Sequence, residues 1–129
     1  MARVGGRRWF SMLTIVAFFV IAITGTALAA SRNNVLFPNG CRIDEWNGYS
    51  LWRDQADGKT HEDYGCELIK VKMRYYDPNR GFWVTGSSAW SAGDSNRDVR
   101  IHKYTDRVPA WTDHLGKANG IAWGQKLWY

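Results

Sequence analysis

The sequence predicts a mainly β protein: a small antiparallel sheet or sandwich built from hairpins, with one disulfide, that follows a cleaved signal peptide. Aromatic residues make up 15% of the chain, and short runs alternate between apolar and polar residues, as strands do. Beyond the N-terminal segment no run shows the period of an amphipathic helix. Turn-forming dipeptides separate the runs, at Asn39-Gly40, Asn47-Gly48, Asp57-Gly58 and Asn119-Gly120.

Residues 1–29 have the organisation of a secretory signal peptide. Three arginines and no acidic residue precede an apolar run from Met12 to Ile23, and Ala27-Leu28-Ala29 matches the pattern that a signal peptidase accepts. We therefore expect cleavage before Ala30, by either the general secretory or the twin-arginine route, and a secreted or envelope-associated product. The alternative is an uncleaved anchor, because residues 12–30 are uncharged and about 20 such residues span a bilayer.

Residues 30–129 are predicted to form one secreted β domain, since a chain of this length can bury a single core. Removal of residues 1–29 takes away three arginines and no acid, so the formal net charge of +5 becomes +2. Cys41 and Cys66 are the only cysteines, and a pair in an exported chain predicts a disulfide.

Ile69–Tyr76 shows the clearest strand pattern, because its odd-numbered residues are apolar or aromatic and its even-numbered residues are basic or polar. A turn over residues 77–80 predicts a return along 82–85, with Tyr75 opposite Phe82 and Arg74 opposite Trp83. Four further elements are predicted: a hairpin of residues 43–46 and 49–52 around Asn47-Gly48, a strand at Val99–Tyr104 with Val99 and Ile101 inward, a helical turn within Pro109–Leu115, and a final strand at Ile121–Tyr129.

No metal or cofactor site is expected from the sequence. Asp94-Ser95-Asn96-Arg97-Asp98 begins like a calcium loop, but Val99 and Thr105 occupy the positions of the required glycine and glutamate. Zinc ligand spacing is also lacking, since the cysteines are assigned to a disulfide. The three histidines are dispersed, at His61, His102 and His114.

Catalysis has little support in the sequence. His61-Glu62-Asp63 and Asp113-His114 place imidazole beside carboxylate, but neighbours on a strand point to opposite faces and make poor catalytic pairs. Neither a nucleophile elbow nor a glycine-rich phosphate loop occurs.

The predicted functional surface is the outer face of the sheet, where alternation places cationic groups among flat rings. We expect a non-catalytic protein that binds anionic envelope or extracellular polymers, such as an acidic polysaccharide, because cations neutralise charge while rings stack on sugars. Nucleic acid is not the expected partner in vivo, and a membrane is met only during export. A small antibacterial, bacteriocin-like toxin and a compact secreted hydrolase remain alternatives. The candidate binding residues are Lys70, Lys72, Arg74, Trp83, Arg100, His102 and Tyr104.

Overall fold

The computed structural model describes residues 27–92 and 97–129, which form nine strands and no helix. The all-β prediction is therefore confirmed, and these ranges contain no helix long and apolar enough to cross a membrane. Residues 1–26 of the predicted signal peptide and residues 93–96, which include the first three residues of the calcium-like pattern, lie outside them. The strands are β1 (Ala27–Leu36), β2 (Arg42–Ser50), β3 (Gln55–Tyr64), β4 (Leu68–Asp77), β5 (Phe82–Ser87), β6 (Ser91–Ala92), β7 (Asp98–Tyr104), β8 (Trp111–Ala118) and β9 (Ile121–Trp128).

The strands form two antiparallel sheets that pack face to face. The first sheet has the order β1-β2-β3-β7, and the second has the order β5-β4-β8-β9, with β6 paired to β4. Strand β4 packs against β3 and β7 of the first sheet, so the centre of the second sheet covers one edge of the first. This arrangement is a β-sandwich with one buried layer and two outer faces.

The core follows the predicted alternation where the inward residues are apolar. Ile69, Val71 and Met73 of β4 are fully buried, and Val99 and Ile101 of β7 lie inward opposite them, as expected. Each of these side chains removes apolar surface from water, which contributes about 1.5–3 kcal/mol for a fully buried aliphatic residue.

The predicted disulfide is confirmed. Cys41 and Cys66 are bonded with their Cα atoms 4.6 Å apart, and the bridge joins the start of β2 to the loop before β4. Gly116 of β8 packs directly against the Cys41 sulfur, where any side chain would collide with it. A glycine at this position allows the second sheet to approach the disulfide.

The β4–β5 hairpin differs in register from the prediction. Asp77 pairs with Phe82, so Trp83 lies opposite Tyr76 and Arg74 lies opposite Thr85. The predicted pairing is wrong by two residues, which leaves each side chain on the expected face. Strand β4 continues to Asp77, whose carboxylate accepts hydrogen bonds from the backbone at Asn79 and Arg80 and so fixes a turn over residues 78–81.

Two of the four turn dipeptides lie inside strands, and the hairpin predicted around Asn47-Gly48 is wrong. Strand β2 passes through Gly48. A glycine is needed there because the ring of Trp46 occupies the space of a side chain. Gly58 lies within β3, packed against a methyl group of Thr112. The real β2–β3 turn spans residues 51–54. Asn39-Gly40 and Asn119-Gly120 do form turns.

The predicted helical turn within Pro109–Leu115 is also wrong, since residues 111–118 form β8 between β4 and β9. The inward residues of β8 begin with Thr112 and His114, which are polar, so the apolar period of a half-buried strand does not show in the sequence. The final predicted strand is confirmed as β9.

Candidate functional site

The outer face of the second sheet combines cations and aromatic rings over four strands. Lys70, Lys72, Arg74 and Trp83 of the predicted site lie on it, and β8 and β9 extend it beyond the predicted residues. We call this surface the basic aromatic face. It consists of Lys70, Lys72, Arg74, Tyr76, Trp83, Trp111, Asp113, Lys117, Lys126 and Trp128.

Cross-strand pairing arranges these residues in rows. Arg74 lies opposite Trp111, which lies opposite Trp128 on the next strand. In the adjacent row Lys72 lies opposite Asp113, which lies opposite Lys126. Directly opposed residues on one face are about 5 Å apart, so each row forms a continuous strip across the sheet.

The charge of the basic aromatic face is strongly positive. Its outward positions, all within the described residues, carry five cations and the single carboxylate of Asp113. Burial raises the pKa of Asp113, while the neighbouring Lys72 and Lys126 oppose that rise. Two lysines therefore surround one carboxylate, and Lys70, Arg74 and Lys117 have no carboxylate opposite them in the sheet pairing.

Several rings of this face are held by edge or cation–π contacts and remain accessible. The Lys126 ammonium lies 4.5 Å from the centroid of Trp111, and Tyr76 meets Trp83 edge to face at 5.9 Å. Such cation–π contacts contribute about 0.5–1 kcal/mol at exposed sites. Trp83 is 38% exposed and Trp128 is 62% exposed, so both can contact a ligand.

The other three predicted residues lie on the opposite side of the molecule. Arg100, His102 and Tyr104 are outward residues of β7, the edge strand of the first sheet. His102 Nδ1 contacts the Asp57 carboxylate at 2.6 Å, and the His102 ring meets Tyr104 edge to face. The expected single surface of seven residues is therefore two surfaces, because β7 pairs with β3 and not with the β4–β5 hairpin.

Sequence reasoning missed the part of the basic aromatic face on β8 and β9. The helical turn predicted within Pro109–Leu115 takes Trp111 out of the sheet, so the sequence does not predict that Trp111 lies opposite Arg74. Lys126 and Trp128 are two residues apart in the last strand, and this spacing indicates that they share one face of it. Which strand pairs with the last strand depends on the fold.

A second cluster of polar groups lies on the outer face of the first sheet. Register places Asp44 opposite His61 and His61 opposite Asp98, and Asp63 follows on the same strand as His61. A groove of about 490 Å³ adjoins the cluster, and we call it the carboxylate groove. Its lining residues are Ser31, Asn33, Asp44, Glu45, Trp46, Lys59, His61 and Asp98.

The ionisation of the carboxylates in this cluster is set by their neighbours. Burial, and then contact with the Asp44 carboxyl group, raise the pKa of Asp63. Burial also opposes ionisation of Asp98, but the hydrogen bond and charge of His61 outweigh it, so the pKa of Asp98 is lowered. Glu62, between His61 and Asp63, points inward and accepts a hydrogen bond from the Cys66 backbone, as alternation requires.

The interior between the sheets contains a layer of polar side chains that the sequence did not indicate. The His114 ring is fully buried between the hydroxyl groups of Thr60 and Thr112, at 2.8 and 2.7 Å. Burial lowers the pKa of His114 to about 3, so the ring is neutral. Glu45 is also buried, 3.1 Å from Arg32 Nε, and burial raises its pKa to about 7.

No protein-family model, curated protein or solved structure matches the chain. The described residues define the class as a two-sheet antiparallel β-sandwich with one disulfide.

Proposed function

We propose that this protein is a secreted, non-catalytic binding protein whose basic aromatic face recognises an acidic polysaccharide of a cell envelope. The observation that supports this proposal is the pair of adjacent rows on the second sheet, one with Arg74, Trp111 and Trp128 and the other with Lys72 and Lys126. A row with two rings thus lies beside a row with two lysines on β4, β8 and β9, and Trp83 extends the face to β5.

The spacing of the face suits an extended polymer with repeated negative charges. Lys70, Lys72 and Arg74 point to the same side of β4, and alternate residues of a strand are about 7 Å apart. Rings such as Trp128 offer flat apolar surfaces to sugar rings, while the cations neutralise acidic groups. A single carboxylate on the face leaves an excess of positive charge for the ligand.

A charge reversal on each outer face tests the proposal. Binding of the protein to a purified acidic polysaccharide and to teichoic acid is measured at low and moderate salt, for wild type, Lys72→Glu and Arg100→Glu. We expect wild-type affinity to fall steeply with salt, since exposed charges are screened beyond about 10 Å at 0.1 M. Lys72→Glu should weaken binding at least fivefold, whereas Arg100→Glu, the same change on the opposite sheet, should leave it within twofold.

An aromatic pair provides a second comparison. Trp128→Ala should weaken binding, whereas Trp52→Ala should not, because Trp52 is 73% exposed but lies in the β2–β3 turn of the first sheet. Equal effects of Lys72→Glu and Arg100→Glu, or lack of wild-type binding at low salt, would show that the basic aromatic face is not the binding surface.

A further inference from the structure

The outer face of the first sheet brings three metal-ligating side chains together. One ring nitrogen of His61 and one carboxylate oxygen each of Asp44 and Asp63 lie within 4.8 Å of one another. Asp44 and His61 are cross-strand partners, and the register of β2 and β3 shifts beside them, between Arg42 and Ile43. That irregularity gives β3 one residue more than β2, as in a bulge, and Asp63 is the additional residue.

Two of the three side chains are oriented by further hydrogen bonds. His61 Nδ1 lies 2.5 Å from Asp98 Oδ1, and Asp44 Oδ1 accepts a hydrogen bond from the Asn34 backbone at 2.8 Å. A carboxylate on one ring nitrogen is the usual partner of a metal-binding histidine, because it fixes the ring and leaves the lone pair on the other nitrogen. Asp98 can serve this purpose for His61.

Asp63 provides an independent indication of a ligand. Its side chain is only partly buried and contacts the Asp44 carboxyl group, but its Oδ2 atom is shielded from water and meets no hydrogen-bond donor among the described residues. A buried acceptor without a partner is costly, and more so when it carries charge. The Asp44 carboxyl group beside it adds a second negative oxygen, so a cation would satisfy both groups.

We propose that Asp44, His61 and Asp63 bind a divalent transition-metal ion such as Zn²⁺, with Asp98 as the positioning residue for His61. Mixed imidazole and carboxylate ligands suit such ions, whereas Ca²⁺ and Mg²⁺ favour oxygen ligands alone. Metal–ligand bonds of about 2.1 Å place two ligand atoms at most about 4.2 Å apart. The three ligand atoms lie within 4.8 Å of one another, so small side-chain movements bring them to bonding distance of one ion.

The ion would lie beside the carboxylate groove, which Asp44 and His61 line. Three protein ligands leave coordination positions for water or for a ligand in the groove, whereas a purely structural zinc site has four protein ligands. Lys59 and Trp46 line the same groove and could contact an anionic ligand of the ion. This site is on the opposite sheet from the basic aromatic face and is independent of it.

Metal titration of the protein recovered after export of the full chain tests this site. Zn²⁺ binding is measured by calorimetry and by competition with a chromogenic chelator, and the absorption spectrum with Co²⁺ reports the ligands. We expect one Zn²⁺ per chain. His61→Ala should weaken its binding at least 100-fold, and Asp98→Asn should weaken it about 10- to 100-fold through the orientation of the ring.

The chain contains a matched control in His102, which contacts Asp57 at 2.6 Å on the same face but belongs to no three-ligand cluster among residues 27–92 and 97–129. His102→Ala should leave Zn²⁺ affinity within threefold. A denaturation curve without metal checks that His61→Ala is folded. If that variant does not fold, Asp44→Asn is tested in its place. Wild-type Zn²⁺ binding no tighter than that of His61→Ala, or equal losses in His61→Ala and His102→Ala, would refute the site. Ca²⁺ binding as tight as Zn²⁺ binding would contradict imidazole ligation.

Discussion

Glu45 and His114 should give the folded protein opposite pH dependences that largely cancel. Both side chains are fully buried in the interior polar layer. Burial raises the pKa of Glu45 from 4.5 to about 7, although the ion pair with Arg32 opposes the rise. Burial lowers the pKa of His114 from 6.5 to about 3, and the nearby Arg32 charge acts in the same direction.

The raised pKa of Glu45 means that the folded state binds more protons than the unfolded state between pH 4.5 and 7. Its contribution to stability is therefore fully present below pH 4.5 and is lost as the pH rises through 7. At about 1.4 kcal/mol per pKa unit, the contribution at pH 5 exceeds that at pH 8 by about 2–3 kcal/mol.

The lowered pKa of His114 changes stability with pH in the opposite direction. Between pH 3 and 6.5 the unfolded state binds a proton at this residue that the folded state does not bind. Stability from this group is fully present above pH 6.5 and is lost as the pH falls from 6.5 towards 3. Between pH 8 and pH 5 the loss is about 2 kcal/mol. The two contributions thus nearly offset each other over that range.

Glu45→Gln separates the two effects, because the amide keeps the shape of the side chain and does not titrate. The free energy of unfolding is measured by urea denaturation at pH 5 and pH 8 for wild type, Glu45→Gln and His114→Gln. The free energy of unfolding of wild type minus that of Glu45→Gln should be about 2–3 kcal/mol larger at pH 5 than at pH 8. The corresponding difference from His114→Gln should be about 2 kcal/mol smaller at pH 5.

The shifted pKa of Glu45 would be refuted by a nearly constant difference in the free energy of unfolding between wild type and Glu45→Gln. A change in that difference of less than about 0.5 kcal/mol between pH 5 and pH 8 is such a result. Because the comparison is between two proteins that share every other titrating group, general acid destabilisation cannot produce the expected change. A change of the opposite sign would mean that Glu45 is ionised in the folded state and stabilised by Arg32.

Two further predictions concern export and the disulfide. N-terminal sequencing of secreted protein should begin at Ala30, which would leave β1 paired with β2 from Ala30 onward; intact chains beginning with Met1 in membranes would contradict cleavage. Reduction of Cys41–Cys66, which closes a loop with a sequence separation of 25, should lower the free energy of unfolding by about 3.5 kcal/mol from chain entropy. Urea denaturation with and without reductant measures this, and thiols that react with an alkylating agent in the native, unreduced protein would contradict the bridge.

The sequence by itself determined the local properties of the fold. Alternation in β4 and β7 predicted both the strands and their inward residues, because one buried and one wet face leave a period of two in the side chains. The pair of cysteines, together with the predicted export signal, predicted the disulfide. The same alternation placed Lys70, Lys72, Arg74 and Trp83 on the outer face that they occupy.

Only the tertiary structure decided how these strands combine. Whether β7 joins the hairpin or pairs with β3 depends on contacts distant in sequence, so the sequence could not show that Arg100 and Lys72 lie on opposite sheets. The metal-ligating cluster has the same origin, since Asp44 meets His61 across two strands and the register shift leaves Asp63 beside them.

Inward polar side chains and close contacts to glycines explain the remaining errors. Thr112 and His114 point inward, where they satisfy one another and Thr60 by hydrogen bonds, so β8 lacks the apolar period that identifies a strand. Gly48 and Gly58 resemble turn residues in sequence, but each is a glycine because a neighbouring side chain fills the space of its missing Cβ. Neither contact shows in a turn-forming dipeptide: Gly58 packs against Thr112, which is distant in sequence, and Gly48 packs against the ring of Trp46, two residues away.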